Sequence, residues 1–262
     1  MMPQSCPRPP WPEVTVVIPT LNEAANLPHV FSRLPDWLHE VILVDGHSAD
    51  GTPAIARRLR PDVRIITQNR CGKGNALACG LAAATGDIIV MVDADGSADP
   101  AEIPRFVDAL LGGADFAKGT RFMTGGGSGD ITRLRRLGNR ALSNLVNMLC
   151  RTRFSDLCYG FNAVWRQHVP VLGLDAESAT PNGGRLWGDG FEIETLIAIR
   201  AAAAGLIVRE VASYEHPRIH GVSNLNAFSD GLRVLRTILA ERRHSRSQQN
   251  SADEISSAPI GA

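Results

Sequence analysis

Two carboxylates spaced by one residue, Asp93 and Asp95, close the apolar run DIIVMV. Oxygen ligands in that pattern at a strand end can hold Mg²⁺ or Mn²⁺ and leave coordination positions for phosphate oxygens. A metal so held would neutralise a diphosphate and stabilise it as a leaving group. Asp and Gly also build solvated turns, but the buried run before Asp93 favours a site. A third carboxylate, Asp45, follows VILV in the segment VDGHSADGT. It suits either a turn or a hydrogen bond to a nucleotide base or ribose, and Asp50 beside it suits a helix cap. The segment Pro19-Thr20-Leu21-Asn22-Glu23 follows the first apolar run, with Asn22 expected to open a helix.

Other candidates lie further along. Gly72-Lys73-Gly74-Asn75 matches no phosphate-loop pattern; it reads as a tight loop opening a helix, with ligand contact by Lys73 as the alternative. Asp189, Glu192 and Glu194 stand in WGDGFEIET at a helix start. Acids there complement the helix dipole, and one of them could instead deprotonate an attacking hydroxyl; spacing does not select which. Arg218, His220 and Ser223 fall in HPRIHGVSN, a loop in which Arg218 could clamp a diphosphate. Between Lys118 and Arg166 nine Lys/Arg face only Asp130 and Asp156, a surplus of seven positive charges. Arg133, Arg136 and Arg140 share one helical stripe, which could be a solvated face or could meet phosphate or an anionic lipid surface.

The elements that must position these residues alternate. Apolar runs at Val14–Ile18, Glu40–Val44, Val63–Thr67 and Asp87–Val92 are separated by helical spacings over Asn22–Leu34, Asp50–Leu59 and Asn75–Ala84. Continuous apolar strands alternating with helices predict an α/β fold with a mainly parallel sheet covered on both faces. In such sheets ligands collect at the carboxyl ends of the strands, where Asp45, Asp93 and Asp95 fall. The second half predicts strands at Asp115–Gly119, Cys158–Trp165 and Leu206–Ala212. It also predicts a mobile Gly-rich loop at Met123–Asp130 and helices at Thr132–Cys150, Phe191–Ala204 and Leu225–Arg243. Residues 1–12 read as a flexible arm, 13–243 as one domain and 244–262 as a disordered tail.

Whole-chain properties exclude several classes. Lys+Arg and Asp+Glu are both 27 in 262 residues, so bulk capture of nucleic acid is not indicated. No apolar run approaches the length of a spanning helix. The five cysteines form no C-x-x-C pair and are odd in number, which predicts reduced, mostly buried thiols rather than disulfides or zinc. The chain is expected to be cytoplasmic.

The ordered set VVIPTLNEAANL, VILVDGHSADGT, GKGNALACGLAAATGDIIVMVDADGSADP, GTRF, RLRRLGNRALSN, SDLCYGFNAVW, GDGFEIET and HPRIHGVSNL resembles family-2 glycosyltransferases of the GT-A fold. It is most similar to their polyprenyl-phosphate (dolichol-phosphate-mannose-type) branch, over about residues 13–240. The resemblance implies a single Rossmann-like GT-A domain, a UDP- or GDP-linked sugar donor, Mg²⁺ or Mn²⁺, inversion at the anomeric carbon, and a lipid-phosphate or other glycosyl acceptor. It places Pro19, Asn22, Glu23 and Asp45 at the nucleoside. It puts Asp93 and Asp95 at the metal and diphosphate, with Ser97 as a weaker ligand, and Asp95 with Asp189, Glu192 or Glu194 at the reacting centre. Arg121, with Arg135 or Arg136 and Asn139, would approach the acceptor phosphate if the acceptor is a lipid phosphate, and Arg218 the donor diphosphate. Ser223 is a further substrate-binding candidate, and the basic segment leads to the expectation of peripheral contact at the inner face of the membrane. Gly46, Ser97 and Asn224 stand where the family often carries an acid, a glutamine and a lysine. A nucleotidyltransferase is the competing enzyme class, but PTLNE replaces its Gly-rich basic signature; a binding protein on a decayed scaffold conflicts with the intact Asp93, Asp95 and Arg218.

Overall fold

A computed structural model describes residues 11–221 and 230–243. The arm up to residue 10, the stretch containing Ser223, and the tail from 244 lie outside the described residues. Seven strands form the main sheet: β1 (Val14–Thr20), β2 (Glu40–Asp45), β3 (Arg64–Thr67), β4 (Ile88–Met91), β5 (Phe116–Thr120), β7 (Asn162–Trp165) and β8 (Val208–Ala212). Their order is β3-β2-β1-β4-β7-β5-β8, and β7 alone among them runs antiparallel to its neighbours. The helices are α1 (Leu27–Phe31), α2 (Thr52–Leu59), α3 (Lys73–Ala83), α4 (Ile103–Leu111), α5 (Arg133–Cys150) and α6 (Ile193–Ala203). Residues 230–243 form a further helix, α7.

Both sheet faces are covered, so strand residues on each side of the pleat are apolar. Val14, Val16 and Ile18 of β1 pack with Leu27, Val30 and Phe106; Val17, facing the other way, packs with Leu77, Leu81 and Leu196. Gly80 lets α3 lie close: a Cβ there would stand 2.3 Å from Val17 Cγ1. The loops after β1, β2, β3 and β4 leave the sheet at its carboxyl edge, where ligands collect in open α/β sheets.

Several local expectations are corrected. The first helix does not begin at Asn22, whose φ is 57°; it starts at Leu27. Asn22 instead staples two loops, its N–H donating to Ser48 Oγ and its Oδ1 accepting from the Ala49 N–H at 2.8 Å. Asp50 does accept from the Thr52 N–H, but with Gly51 at φ 83° between them. The Gly-rich segment is not simply a loop: β6 (Gly127–Ser128) pairs with β9 (Tyr214–Glu215) in a second small sheet. Cys158–Phe161 runs irregularly before β7, because Phe161 O accepts from the Gly119 N–H and Tyr159 O from Lys118 Nζ. The described cysteines are free, yet Cys71 and Cys158 are exposed rather than buried. Lys118 is fully buried and Arg121 nearly so, which removes two cations from the basic surface.

Candidate active site

The loops at the strand ends enclose a cavity of about 800 Å³. Pro19 and Thr20 enter it at the end of β1, Leu21 and Glu23 just after it, Gly46 after β2, Gln68 and Cys71 after β3, and Asp93, Asp95 and Ser97 after β4. Its far wall is α5, through Leu134, Arg135, Asn139 and Leu142, with Val234 of α7.

Lys73 is the hub at the inner end. Its Nζ lies 2.6 Å from Asp93 Oδ1 and 2.6 Å from Glu194 Oε1. Burial pulls the ammonium down, but the two carboxylates outweigh it and hold Lys73 well above its ordinary pKa. Burial raises Glu194, with Lys73 opposing. Gly160 makes the cluster sterically feasible, since a Cβ there would lie 2.9 Å from Lys73 Nζ and 3.0 Å from Asp93 Oδ2. At the other lip Arg218 reaches Asp95 Oδ2 at 3.1 Å and also pairs with Glu23. Burial raises Glu23, opposed by Asn26 and Arg218.

The remaining predicted residues divide. Asp189 does not reach the cavity: it accepts a two-pronged ion pair from the buried Arg70 at 2.8 and 2.9 Å, together with the Leu186 N–H. Glu192 also points elsewhere, with Oε1 on the Gly190 N–H and Oε2 buried without a partner. Only Glu194 of the three candidate bases lines the cavity. Arg121 lines it but is not available to an acceptor anion, being neutralised by Asp156 at 2.6 Å and Glu215 at 3.0 Å and lying over the Tyr159 ring. Arg135 lines the cavity and pairs loosely with Asp130 at 3.3 Å. Arg136 faces outward beside Phe122. Asn139 is buried, with Oδ1 on the Cys158 N–H and Nδ2 unpartnered. Asp45 sits behind Gly46; its Oδ2 accepts the Ser48 N–H while Oδ1 is buried without a partner. Asn22, with its loop-stapling bonds, does not line the cavity. Ser97 does, and its N–H caps Asp95 Oδ1.

Among the described residues every carboxylate lining the cavity has a cationic partner. Glu23 and Asp95 share Arg218, and Asp93 and Glu194 share Lys73; Glu215 pairs with Arg121, Asp130 with Arg135 and Asp230 with Arg233. Arg185 is the one cavity-lining cation among them with no such partner. Sequence reasoning passed over Arg185 and Arg70, since an arginine in a loop carries no periodic signal. The signal for Lys73 was its place between two glycines. Gly72 and Gly74 press against the Asp189 and Gly188 carbonyls, where a Cβ would lie within 2.0 and 1.8 Å.

Asp93 and Asp95 are hard oxygen donors with side chains 32% and 22% exposed to the cavity. No three His, Cys, Asp or Glu converge as ion ligands among the described residues. That donor set fits Mg²⁺ or Mn²⁺, which bind through one or two carboxylates and complete their shell with substrate phosphate oxygens.

Residues 15–169 match the family described as Glycosyl transferase family 2. The chain is 30% identical to Glycosyltransferase AglJ of Haloferax volcanii over 221 residues, covering 83% of this chain and 68% of that protein. It is 30% identical to the polyprenol monophosphomannose synthase of Mycolicibacterium smegmatis over 228 residues, 83% and 82% of the two chains. The dolichyl-phosphate hexose transferase of Haloferax volcanii is 29% identical, over 87% and 92%. Glucosyl-3-phosphoglycerate synthase of Mycobacterium tuberculosis, solved with Mn²⁺, UDP-glucose and phosphoglyceric acid, shares the fold. Its TM-score is 0.67 at 23% identity, over 88% of this chain and 80% of that one.

Proposed function

The chain belongs to glycosyl transferase family 2, and from that premise we propose that it transfers a sugar, with inversion, from a UDP- or GDP-linked donor to a polyprenyl phosphate. The pairing of every described cavity-lining carboxylate with a cation carries this reading. An alcohol acceptor must lose its proton to a base in the transition state, and no described carboxylate in the cavity is free of a counter-ion. A phosphate monoester has a second pKa near about 6; it arrives ionised and needs nearby cations rather than a base. Two relatives whose printed names specify polyprenol- and dolichyl-phosphate products agree.

In the displacement, an acceptor phosphate oxygen attacks the anomeric carbon opposite the leaving group. The carbon–oxygen bond to the donor diphosphate breaks, and the nucleoside diphosphate leaves with the electron pair. Asp93 and Asp95, with Ser97 beside them, would hold the divalent ion, which supplies charge neutralisation for the diphosphate when bound. Arg218, unlike the buried Arg121, is partly open to the same space and would exchange Asp95 for a diphosphate oxygen when that carboxylate holds the ion. Gly46, Pro19 and Glu23 would border the nucleoside, with the unpartnered Asp45 Oδ1 behind them. Arg135 and the unpartnered Asn139 Nδ2 would orient the acceptor phosphate. Ile131, Leu134, Leu142, Phe191 and Val234 give that end of the cavity an apolar lining suited to the first isoprene units. No described helix is long and apolar enough to cross a membrane; in this reading the lipid is met by peripheral contact at the inner face.

The test offers UDP- and GDP-sugars with Mn²⁺ to polyprenyl phosphate and to water-soluble alcohols in parallel. Transfer to the lipid phosphate alone is expected. Glycosylation of an alcohol with the lipid phosphate ignored would overturn the acceptor and leave the transferase standing.

A further inference from the structure

Among the described residues six lysine and arginine side chains line the cavity, and five of them are held by carboxylates. Arg185 is the sixth, exposed and without an ion pair among the described residues. Its backbone is nonetheless fixed. The segment from Asp175 to Asp189 is tied to the loop after β3 at both ends. Asn69 Nδ2 donates to Ala176 O at 3.0 Å and Arg70 Nη2 to Asp175 O at 2.7 Å, while Arg70 Nε donates to Asp189 Oδ2 at 2.8 Å. On either side of Arg185, Gly184 O accepts from Thr180 Oγ1 at 2.8 Å and the Leu186 N–H donates to Asp189 Oδ2 at 2.6 Å. An anchored backbone lowers the ordering cost of binding through the guanidinium it carries. Nothing local explains why a cation stands there. Arg185 Nε lies 3.5 Å from where a Cβ on Gly72 would be, at the N-terminal end of α3, whose first turn carries no acid. That end of a helix dipole does not favour a cation, and Lys73 next in the chain is taken by Asp93 and Glu194.

We propose that Arg185 binds a phosphate oxygen of the donor's diphosphate and holds the nucleoside diphosphate as it departs. Charge selects this ligand. Apart from Arg185, the described lining carries five cations against seven carboxylates, and a divalent ion would offset only that difference. The negative charge of the diphosphate then falls to Arg185. Position selects the donor over the acceptor. Gly72 lies between Gln68 and Cys71, which line the cavity after β3, and Lys73, which holds Asp93. Arg135 and Asn139, on α5, form the far wall. In the transfer, the bond from the anomeric carbon to the β-phosphate oxygen breaks as the acceptor oxygen bonds to that carbon. The electron pair stays on the β-phosphate oxygen, so the diphosphate gains one negative charge. A cation already in place acts most where charge grows. The inference rests on the nucleotide-sugar reading of the donor and not on the identity of the acceptor.

Full-length wild type and Arg185→Ala are titrated calorimetrically with UDP and with GDP in the presence of Mn²⁺, and with a short, water-soluble prenyl phosphate. The parent nucleosides are titrated by NMR. Arg185 is exposed and unpaired, so circular dichroism and melting should match wild type. Arg185→Ala is expected to weaken binding of the diphosphate that wild type prefers about tenfold or more, as loss of a charged hydrogen bond does. Binding of its nucleoside and of the prenyl phosphate should stay within about twofold. In transfer assays kcat should fall with the donor KM raised, while the acceptor KM stays unchanged. Equal diphosphate affinity in the two proteins overturns the assignment. So does a loss confined to the prenyl phosphate, which makes Arg185 an acceptor ligand, or an equal loss for the nucleoside, which makes it a wall of the nucleoside pocket. If wild type binds neither diphosphate, the donor reading itself falls and the proposal with it.

Discussion

Asp95 accepts from Arg218 on one oxygen and from the Ser97 N–H on the other, at 3.1 and 3.0 Å. Replacing it by Asn keeps the shape and removes the charge that a metal–diphosphate pair requires. Asp95→Asn is expected to lower kcat by a factor on the order of 10² to 10⁴. The melting temperature should move little, because a partly exposed ion pair contributes at most about 1 kcal/mol. Activity within twofold of wild type at saturating Mn²⁺ would remove Asp95 from the site. Lys118 tests burial rather than catalysis. It is fully buried, with Tyr159 O as acceptor, and burial lowers its pKa against the pull of Asp156 and Glu210. A lysine whose folded pKa is depressed binds fewer protons folded than unfolded, so stability rises with pH between the two values. Urea denaturation across alkaline pH should show that rise in wild type and lose it in Lys118→Met. Parallel pH profiles would place Lys118 outside the titration.

At the scale of elements, two loops are locked together around Arg70. Its guanidinium donates to both oxygens of Asp189 and to the Asp175 and Ser178 carbonyls, and the Gly74 N–H donates to Asp189 O at 2.9 Å. The start of α3, which carries Lys73, is thereby fastened to the segment leading into α6, which carries Glu194. Asp189→Asn removes the near counter-charge of a buried guanidinium and leaves only the half-exposed Asp175 carboxylate at 3.8 Å; it should cost about 2–4 kcal/mol, read as a fall in the urea midpoint with unchanged slope. A loss below about 1 kcal/mol would show that the pair is not what fastens the loops. The same variant separates roles: if Asp189 were the base, kcat would collapse even where the fold holds.

At the scale of the whole molecule, the cavity collects charge from distant parts of the chain. Glu23 and Arg218 are 195 positions apart, and Lys73 and Glu194 stand at the starts of two helices, α3 and α6, that pack side by side on one sheet face. A carboxylate pair set among lysine and arginine suits a ligand that brings both signs, as a divalent ion with a diphosphate does. Exhaustive chelation with EDTA should stop transfer, and Mn²⁺ or Mg²⁺ should restore it. Nucleotide added with Mn²⁺ should raise the melting temperature more than either alone, since a ligand bound only by the folded state stabilises it by mass action. Full activity in chelated enzyme would sink the metal requirement.

The alternation of apolar runs with helical spacing determined the α/β class and most strand positions, because burial of both sheet faces writes itself into consecutive residues. Asp93 and Asp95 at the end of β4 were legible for the same reason. Family membership was legible in the order of the motifs. The start of helix α1 was not, since Asn22 is held in a left-handed conformation by bonds to the distant Ser48 and Ala49 and the helix opens only at Leu27. The reversed direction of β7 was not legible either, as a short apolar run carries no mark of its partners. Above all, the sequence could not tell which acids and bases cancel. Asp189, Glu192 and Glu194 read alike along the chain. Only the fold pairs the first with Arg70, turns the second away and sets the third beside Lys73. Arg121 read as an anion ligand until Asp156 and Glu215 were brought onto it. Ion pairs form between residues far apart in the chain and depend on distances of a few ångströms, so they are decided only when the tertiary structure closes.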